Sequence, residues 1–228
     1  ELSPVDYVDL FIDTGCHGHT DPGATVPFGA EQLSPDTRAG NWDACSGYHY
    51  NDTTLKGFSH THLSGTGCID LGDILFRPTT LKPDLTTESI YQPAAFSHKD
   101  EDASAGYYSV VLKEEGIKAE LTVTAHAGMH RYTFPSGKEA SIIIDLTHLL
   151  DNEYIYEAEL EQTAANEITG MRRTRGWTDN QYVYFVAQFS KPFQAIDFIQ
   201  NKKMVSAGVK LNGTDLQACL SFDNSNGE

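Results

Sequence analysis

The sequence predicts an all-β fold, a two-sheet antiparallel β-sandwich with long loops in its first third. Three observations predict it. From Tyr107 onward the chain breaks into short runs rich in β-branched and aromatic residues. The connections between those runs are short and hold Gly or Pro, which makes consecutive strands antiparallel neighbours. After Pro78 no stretch carries a convincing helical stripe.

Residues 107–112, 117–124 and 129–134 read as three consecutive strands, joined by a Glu114-Glu115-Gly116 turn and closed by Pro135-Ser136-Gly137-Lys138. Residues 141–146 hold Ile142, Ile143, Ile144 and Leu146 without alternation, the pattern of a strand buried on both faces, so this strand should lie centrally. Residues 157–162, 167–173 and 181–189 supply a second sheet face. The best local helix candidate is 158–165, which a short strand fits equally well. Two packed sheets cover both apolar faces, and no solenoid or propeller repeat competes with that arrangement.

At 228 residues the chain can bury most of its apolar surface in one large domain, and one all-β unit spanning 1–228 is the economical reading. Sixteen Lys and Arg against 32 Asp and Glu give a net charge of −16, which repels nucleic-acid phosphates and anionic lipid and favours a neutral partner. No run approaches the roughly 18 apolar residues of a membrane span, and residues 1–6 lack the regions of a signal peptide, so any export signal precedes this numbering. The cysteines at 16, 45, 68 and 219 are too few for a disulfide scaffold. A Cys45–Cys68 bridge is compatible with their placement, although buried free thiols are the favoured reading.

The first third is different in kind. Residues 57–67 (GFSHTHLSGTG), backed by His17-Gly18-His19-Thr20 and by Trp42 to Tyr50, crowd polar, aromatic and glycine residues where a sandwich core would want Val and Ile. That crowding describes a ligand-facing wall built on loops. Trp42 stands among Asn41, Asp43 and Ser46, where a flat ring beside polar groups suits a sugar: its C–H face stacks while its hydroxyls hydrogen-bond. A tryptophan that caps the sandwich is the rival reading.

His60 and His62, like His17 and His19, are two apart and share a face if they lie on a strand. The spacing permits a metal pair, but zinc needs three or four ligands; hydrogen-bonded histidines in a polar cleft are favoured, and no metal is assigned. Gly65-x-Gly67 lacks the third glycine of a dinucleotide fingerprint, since position 70 is Asp70, and no G-x-S-x-G elbow is present. With 32 carboxylates, an acid–base pair cannot be picked from spacing, and no catalytic residue is assigned.

The runs 7–15 (YVDLFIDTG), 22–29 (PGATVPFG), 32–37 (QLSPDT), 45–50 (CSGYHY) and 57–67, with 184–193 (YFVAQFSKPF) farther on, resemble the N-terminal domain of glycoside hydrolase family 92. That family comprises calcium-dependent inverting α-mannosidases. The resemblance implies a galactose-mutarotase-like supersandwich that packs, as partner, on a C-terminal (α/α)6-barrel domain holding the catalytic acid, base and calcium, none of which this chain would carry.

The resemblance further implies an exo-α-mannosidase parent of α-1,2 type, acting on N-glycans or mannans in the bacterial periplasm or outside the cell. The isolated chain would be inactive and would bind a mannose-containing glycan. The expected sugar contacts are Trp42, Asp43, Cys45, Ser46, His17, His19, Asp21, His60, His62, Thr66 and Gly67. Cys16 and Asp21 depart from the family's first loop, and Asp21 turns an apolar contact acidic. A stand-alone carbohydrate-binding module is the alternative function, and an exposed apolar face that self-associates is a further expectation.

Overall fold

The structure is a computed structural model that describes residues 3–87, 89–151, 154–205 and 210–225. Its strands in chain order are β1 (Ala24–Thr25), β2 (Gln32–Asp36), β3 (Thr54–Leu55), β4 (Gly57–Ser59), β5 (Leu75–Thr79), β6 (Ala94–Ala95), β7 (Glu101–Ser104), β8 (Tyr107–Leu112) and β9 (Ile117–Val123). They continue with β10 (Gly128–Thr133), β11 (Ala140–Asp145), β12 (Tyr154–Ala164), β13 (Glu167–Arg175), β14 (Gln181–Gln188), β15 (Ala195–Gln200), β16 (Lys203–Val205), β17 (Leu211–Gly213) and β18 (Leu216–Phe222). The helical pieces are single 3-10 turns, and among the described residues no helix is long and apolar enough to cross a membrane. Every strand pair described is antiparallel, the all-β sandwich class that the sequence predicts.

The chain separates into two compact units. The first comprises Glu1–Gly72, Pro93–Thr133 and Leu149–Asp151. Its layers are a β1-β2-β4 sheet and a β7-β8-β9-β10 meander, with β3 and β6 paired beside them. Residues of β1 and β2 pack against β9. The alternation of β9 explains this: Ile117, Ala119 and Leu121 are buried while Lys118 and Thr122 face out. Leu33, Phe58, Tyr108 and Val110 complete the filling, each apolar side chain contributing about 1.5–3 kcal/mol by leaving water. The predicted turn is present, with Gly116 at φ +71° and its N–H on the Leu112 carbonyl at 2.7 Å.

The second unit comprises Asp73–Gln92, Phe134–His148 and Asn152–Glu228. One sheet runs β5-β11-β18-β15-β16 and the other β14-β13-β12-β17. β11 lies between β5 and β18, as its unbroken isoleucines require. Ile143 joins Ile90, Ile199 and Cys219 on one face, while Ile142 and Ile144 emerge on the other. The helix candidate at 158–165 is instead part of β12. Ala158 and Leu160 are buried, the intervening glutamates point out, and the pairing to β13 makes the period two rather than 3.6. Arg172 is buried in this unit, its guanidinium on Asp73 at 2.7 Å and on the Leu146 carbonyl at 3.1 Å, with the His148 carbonyl as a further acceptor.

Candidate functional site

Three loops of the first unit converge on Trp42. The first, after Phe11, is forced into a tight course: Asp13, Cys16 and His19 take positive φ, and a Cβ on Gly18 would come within 2.0 Å of the Asp13 carbonyl oxygen. Thr14 and Thr20 close it by donating their hydroxyls to the Phe11 and Ile12 carbonyls, both at 2.8 Å. The second is the 3-10 turn Trp42–Ala44, capped by Asn41, whose Oδ1 accepts from the Asp43 N–H at 3.0 Å. The third is the glycine-rich run 64–68, tied to the first where Gly65 N–H donates to the His19 carbonyl at 2.6 Å.

Trp42 is 55% exposed, and its indole N–H donates to the Gly67 carbonyl at 2.9 Å, which fixes the ring upright. His19 meets that ring edge-on with centroids 4.3 Å apart, and His17 lies tilted at 5.5 Å. His17 Nδ1 is 2.5 Å from Asp43 Oδ1 at the exposed rim. Gly67 takes φ +66°, a conformation that favours glycine, and packs beside the His19 ring, 3.4 Å from Nδ1 to where a Cβ would stand. His19 is only 8% exposed, and its Nε2 has no hydrogen-bond partner. A buried ring nitrogen without a partner is costly, which marks the position as one that a ligand hydroxyl or a water would satisfy.

The structure therefore gathers His17, His19, Trp42, Asp43 and Gly67, with Thr66 exposed on the rim. Cys45 and Ser46 lie beneath, fully buried, Ser46 donating to the Thr20 carbonyl at 3.0 Å. Their side chains support the loops and are closed to a ligand in this arrangement. Asp21 is half-buried and accepts from the Gly23 N–H at 3.0 Å.

His60 and His62 do not share a face. β4 ends at Ser59, the chain turns, and the two rings find different partners. His62 is buried, 2.8 Å from Asp36 Oδ1 and 3.0 Å from Ser59 Oγ, with Nδ1 2.7 Å from the Gln32 carbonyl. Burial alone would lower its pKa, but the Asp36 carboxylate, the hydrogen bond to it and the charge of Asp21 outweigh that and raise it to about 9. His60 Nε2 instead lies 3.0 Å from His130 Nε2, and His130 Nδ1 is 2.7 Å from the Tyr132 hydroxyl. Burial, together with His60, holds His130 well below the ordinary histidine range.

His130 and Tyr132 are the partners that sequence reasoning missed, and Asp36 is one of the motif-neighbouring carboxylates to which it gave no role. One signal for two of them was present: on β10 the positions Gly128, His130 and Tyr132 alternate as one face yet lack the aliphatic character of a core strand. Glu31 lies in the same neighbourhood, close to Gly128, with a buried Oε2 that has no partner and a carboxyl raised by burial against the opposing pull of His126. All four cysteines are free; Cys45 and Cys219 are buried, whereas Cys16 and Cys68 are exposed, so the expectation of buried thiols holds for two of them.

Chemically, the Trp42 cluster combines a flat exposed ring, a buried imidazole nitrogen without a hydrogen-bond partner, and a carboxylate–imidazole pair at the rim. Among the described residues no three or more His, Cys, Asp or Glu side chains come together in a set that could hold a metal ion. His60 and His62 take different partners, and the four loop histidines form no zinc centre among the described residues.

Comparison with known proteins identifies the family. Residues 7–228 match the family model for the glycosyl hydrolase family 92 N-terminal domain. A solved α-mannosidase of that family from Bacteroides thetaiotaomicron, in complex with mannoimidazole, is 41% identical with a TM-score of 0.92, covering 98% of this chain and 31% of that one. A family 92 inverting mannosidase from Bacteroides thetaiotaomicron VPI-5482, at 24% identity and a TM-score of 0.80, covers 100% and 31% respectively and shares the fold. A protein described as an uncharacterized secreted glycosidase of Arthroderma benhamiae is 31% identical over 161 residues, 64% of this chain and 20% of its own. The chain thus spans about a fifth of the curated relative and under a third of the solved mannosidases.

Proposed function

Since the chain belongs to the glycosyl hydrolase family 92 N-terminal domains, a family of α-mannosidases, we propose that its parent is an exo-α-mannosidase of α-1,2 type and that the Trp42 cluster shapes the entrance to its sugar-binding site. The observation that carries this reading is the His19 ring, buried against an exposed tryptophan with Nε2 lacking a partner. Trp42 offers the stacking face, His19 Nε2 the hydroxyl partner, and Asp43 with His17 a second polar contact at the rim. Thr66 and Asp21 would bound the approach, while Cys45, Ser46 and His62 hold the loops from below.

In this reading the domain packs on a C-terminal catalytic domain of the same polypeptide, which carries the acid, the base and the calcium. Inversion then requires an acid that protonates the leaving oxygen and a base that activates water on the opposite face of the sugar. The natural substrates are the mannosides of N-glycans or mannans, met in the periplasm or outside the cell; the similarity to a secreted glycosidase supports export.

The test compares the parent enzyme with its Trp42→Ala and His19→Ala variants on α-1,2-mannobiose. Loss of the stacking ring should raise KM about tenfold, with a smaller effect on kcat. Unchanged kinetics in both variants would refute the reading, as would α-mannoside turnover by the 228-residue chain alone.

A further inference from the structure

The second unit presents a surface that this reading does not use. Strand alternation and register put Glu157, Glu159 and Glu161 of β12, Thr169, Met171 and Arg173 of β13, and Tyr182, Tyr184 and Val186 of β14 on one outward face. Tyr184 is 72% exposed and Tyr182 is 49% exposed; their ring planes are parallel within 6° and their centroids are 6.3 Å apart. Next to Tyr184 lies a cleft of about 240 Å³ bounded by Glu159, Glu161, Thr169, Met171 and Lys210. Lys210 spans it, with Nζ 2.5 Å from Glu159.

We infer that this face binds a neutral saccharide, with Tyr184 as the stacking ring and Glu161, Thr169 and the Lys210–Glu159 pair as partners for its hydroxyls. Four observations carry the assignment. The cleft is smaller than the roughly 300–1,000 Å³ of drug-sized sites, a size that suits a single pyranose ring. Its polar groups are available: the Glu161 carboxylate and the hydroxyls of Thr169 and Tyr184 make no side-chain hydrogen bond among the described residues.

The neighbouring ring is held rigidly. Arg173 sits 4.7 Å from the Tyr156 centroid and 5.4 Å from that of Tyr182, anchored by Asn180 and Glu157, so Tyr182 is a fixed wall while Tyr184 beside it stays open. The charge pattern selects the ligand. Three carboxylates against two cations, with Glu157 paired to Arg173, Glu159 paired to Lys210 and Glu161 in the field of the same lysine, leave no net positive patch to hold a phosphate or sulfate polymer. A sugar supplies O–H donors to those carboxylates and a C–H face to the ring.

This site shares no residue with the Trp42 cluster and does not rest on its role; only the choice of mannose as a probe rests on the family. The test titrates the 228-residue chain with α-mannotriose and, separately, maltotriose, followed by NMR and calorimetry. Saturable binding of either is expected, weakened about tenfold by Tyr184→Ala and retained by Tyr184→Phe. Tyr184 is exposed, so its variant should melt like the native chain. The inference is overturned if neither saccharide saturates, if Tyr184→Ala binds like the native chain, or if that substitution instead dissolves a dimer seen by sedimentation. Binding lost in Trp42→Ala but kept in Tyr184→Ala would overturn it while leaving the proposed function standing.

Discussion

His62 Nε2 lies 2.8 Å from Asp36 Oδ1, and neither side chain reaches solvent. The two residues are 26 positions apart, and their ion pair joins the strand β2 to the segment just beyond β4. Because the folded-state pKa of His62 is raised from 6.5 to about 9, its contribution is fully present below pH 6.5 and lost as pH rises through about 9. The size of the shift sets that contribution on the order of 3 kcal/mol. Urea midpoints measured from pH 6 to pH 10 should fall across this window, and His62→Gln should remove the slope. A flat native profile would contradict the pairing.

Gly47 is part of the same arrangement. It takes φ +88°, and a Cβ there would come 2.3 Å from Asp36 Oδ1 and 3.1 Å from the His62 ring. Gly47→Ala should therefore combine backbone strain with displacement of a buried charge and cost more than about 2 kcal/mol. Denaturant unfolding measures it directly, and a variant as stable as the native chain would show that the carboxylate does not abut the backbone as described.

The Arg172–Asp73 pair in the second unit predicts an asymmetric pair of variants. Asp73→Ala leaves a buried guanidinium without its carboxylate and should cost about 3–5 kcal/mol. Arg172→Met should be milder, because the Asp73 carboxylate left behind can take up a proton, whereas a guanidinium cannot shed its charge, and Asp73 keeps the Gln181 side chain, 2.7 Å away, as a donor. Equal losses in the two variants, measured by thermal or urea unfolding, would count against this ordering.

The thiols should divide two and two. Cys16 and Cys68 are exposed; Cys45 and Cys219 are buried, and burial raises both of the latter, Cys219 to about 11. A thiol reagent at neutral pH should label two sites quickly and the remaining two only after unfolding. Mass mapping of the labelled peptides checks which residues react, and rapid labelling of Cys45 would contradict the packing beneath the Trp42 loops.

Much of the strand framework was legible in the sequence because a half-buried strand writes its two-residue period into its own residues. Ile117, Ala119 and Leu121 of β9 show this plainly, and Ile142 to Ile144 announced a strand buried on both sides. The segment at 158–165 was ambiguous for the same reason. A few alternating small and acidic residues satisfy either period until a partner strand is known, and β13 supplied it. The resemblance of the loop motifs to family 92 also pointed to the right family, since the runs at 22–29, 45–50 and 57–67 are local strings that can be read without coordinates.

By itself, then, the sequence determined the fold class, the family and the loops that build the Trp42 surface. Only the tertiary structure decided which residues meet. Spacing paired His60 with His62, yet the chain leaves β4 between them, and each ring took a partner from elsewhere, His130 for one and Asp36 for the other. It also decided which candidates are exposed: Trp42 stands open at the surface, while His19, Cys45, Ser46 and His62 are buried. The physical reason is that propensity and periodicity act over a few consecutive residues, whereas a hydrogen bond between residues tens of positions apart exists only once packing has brought them together.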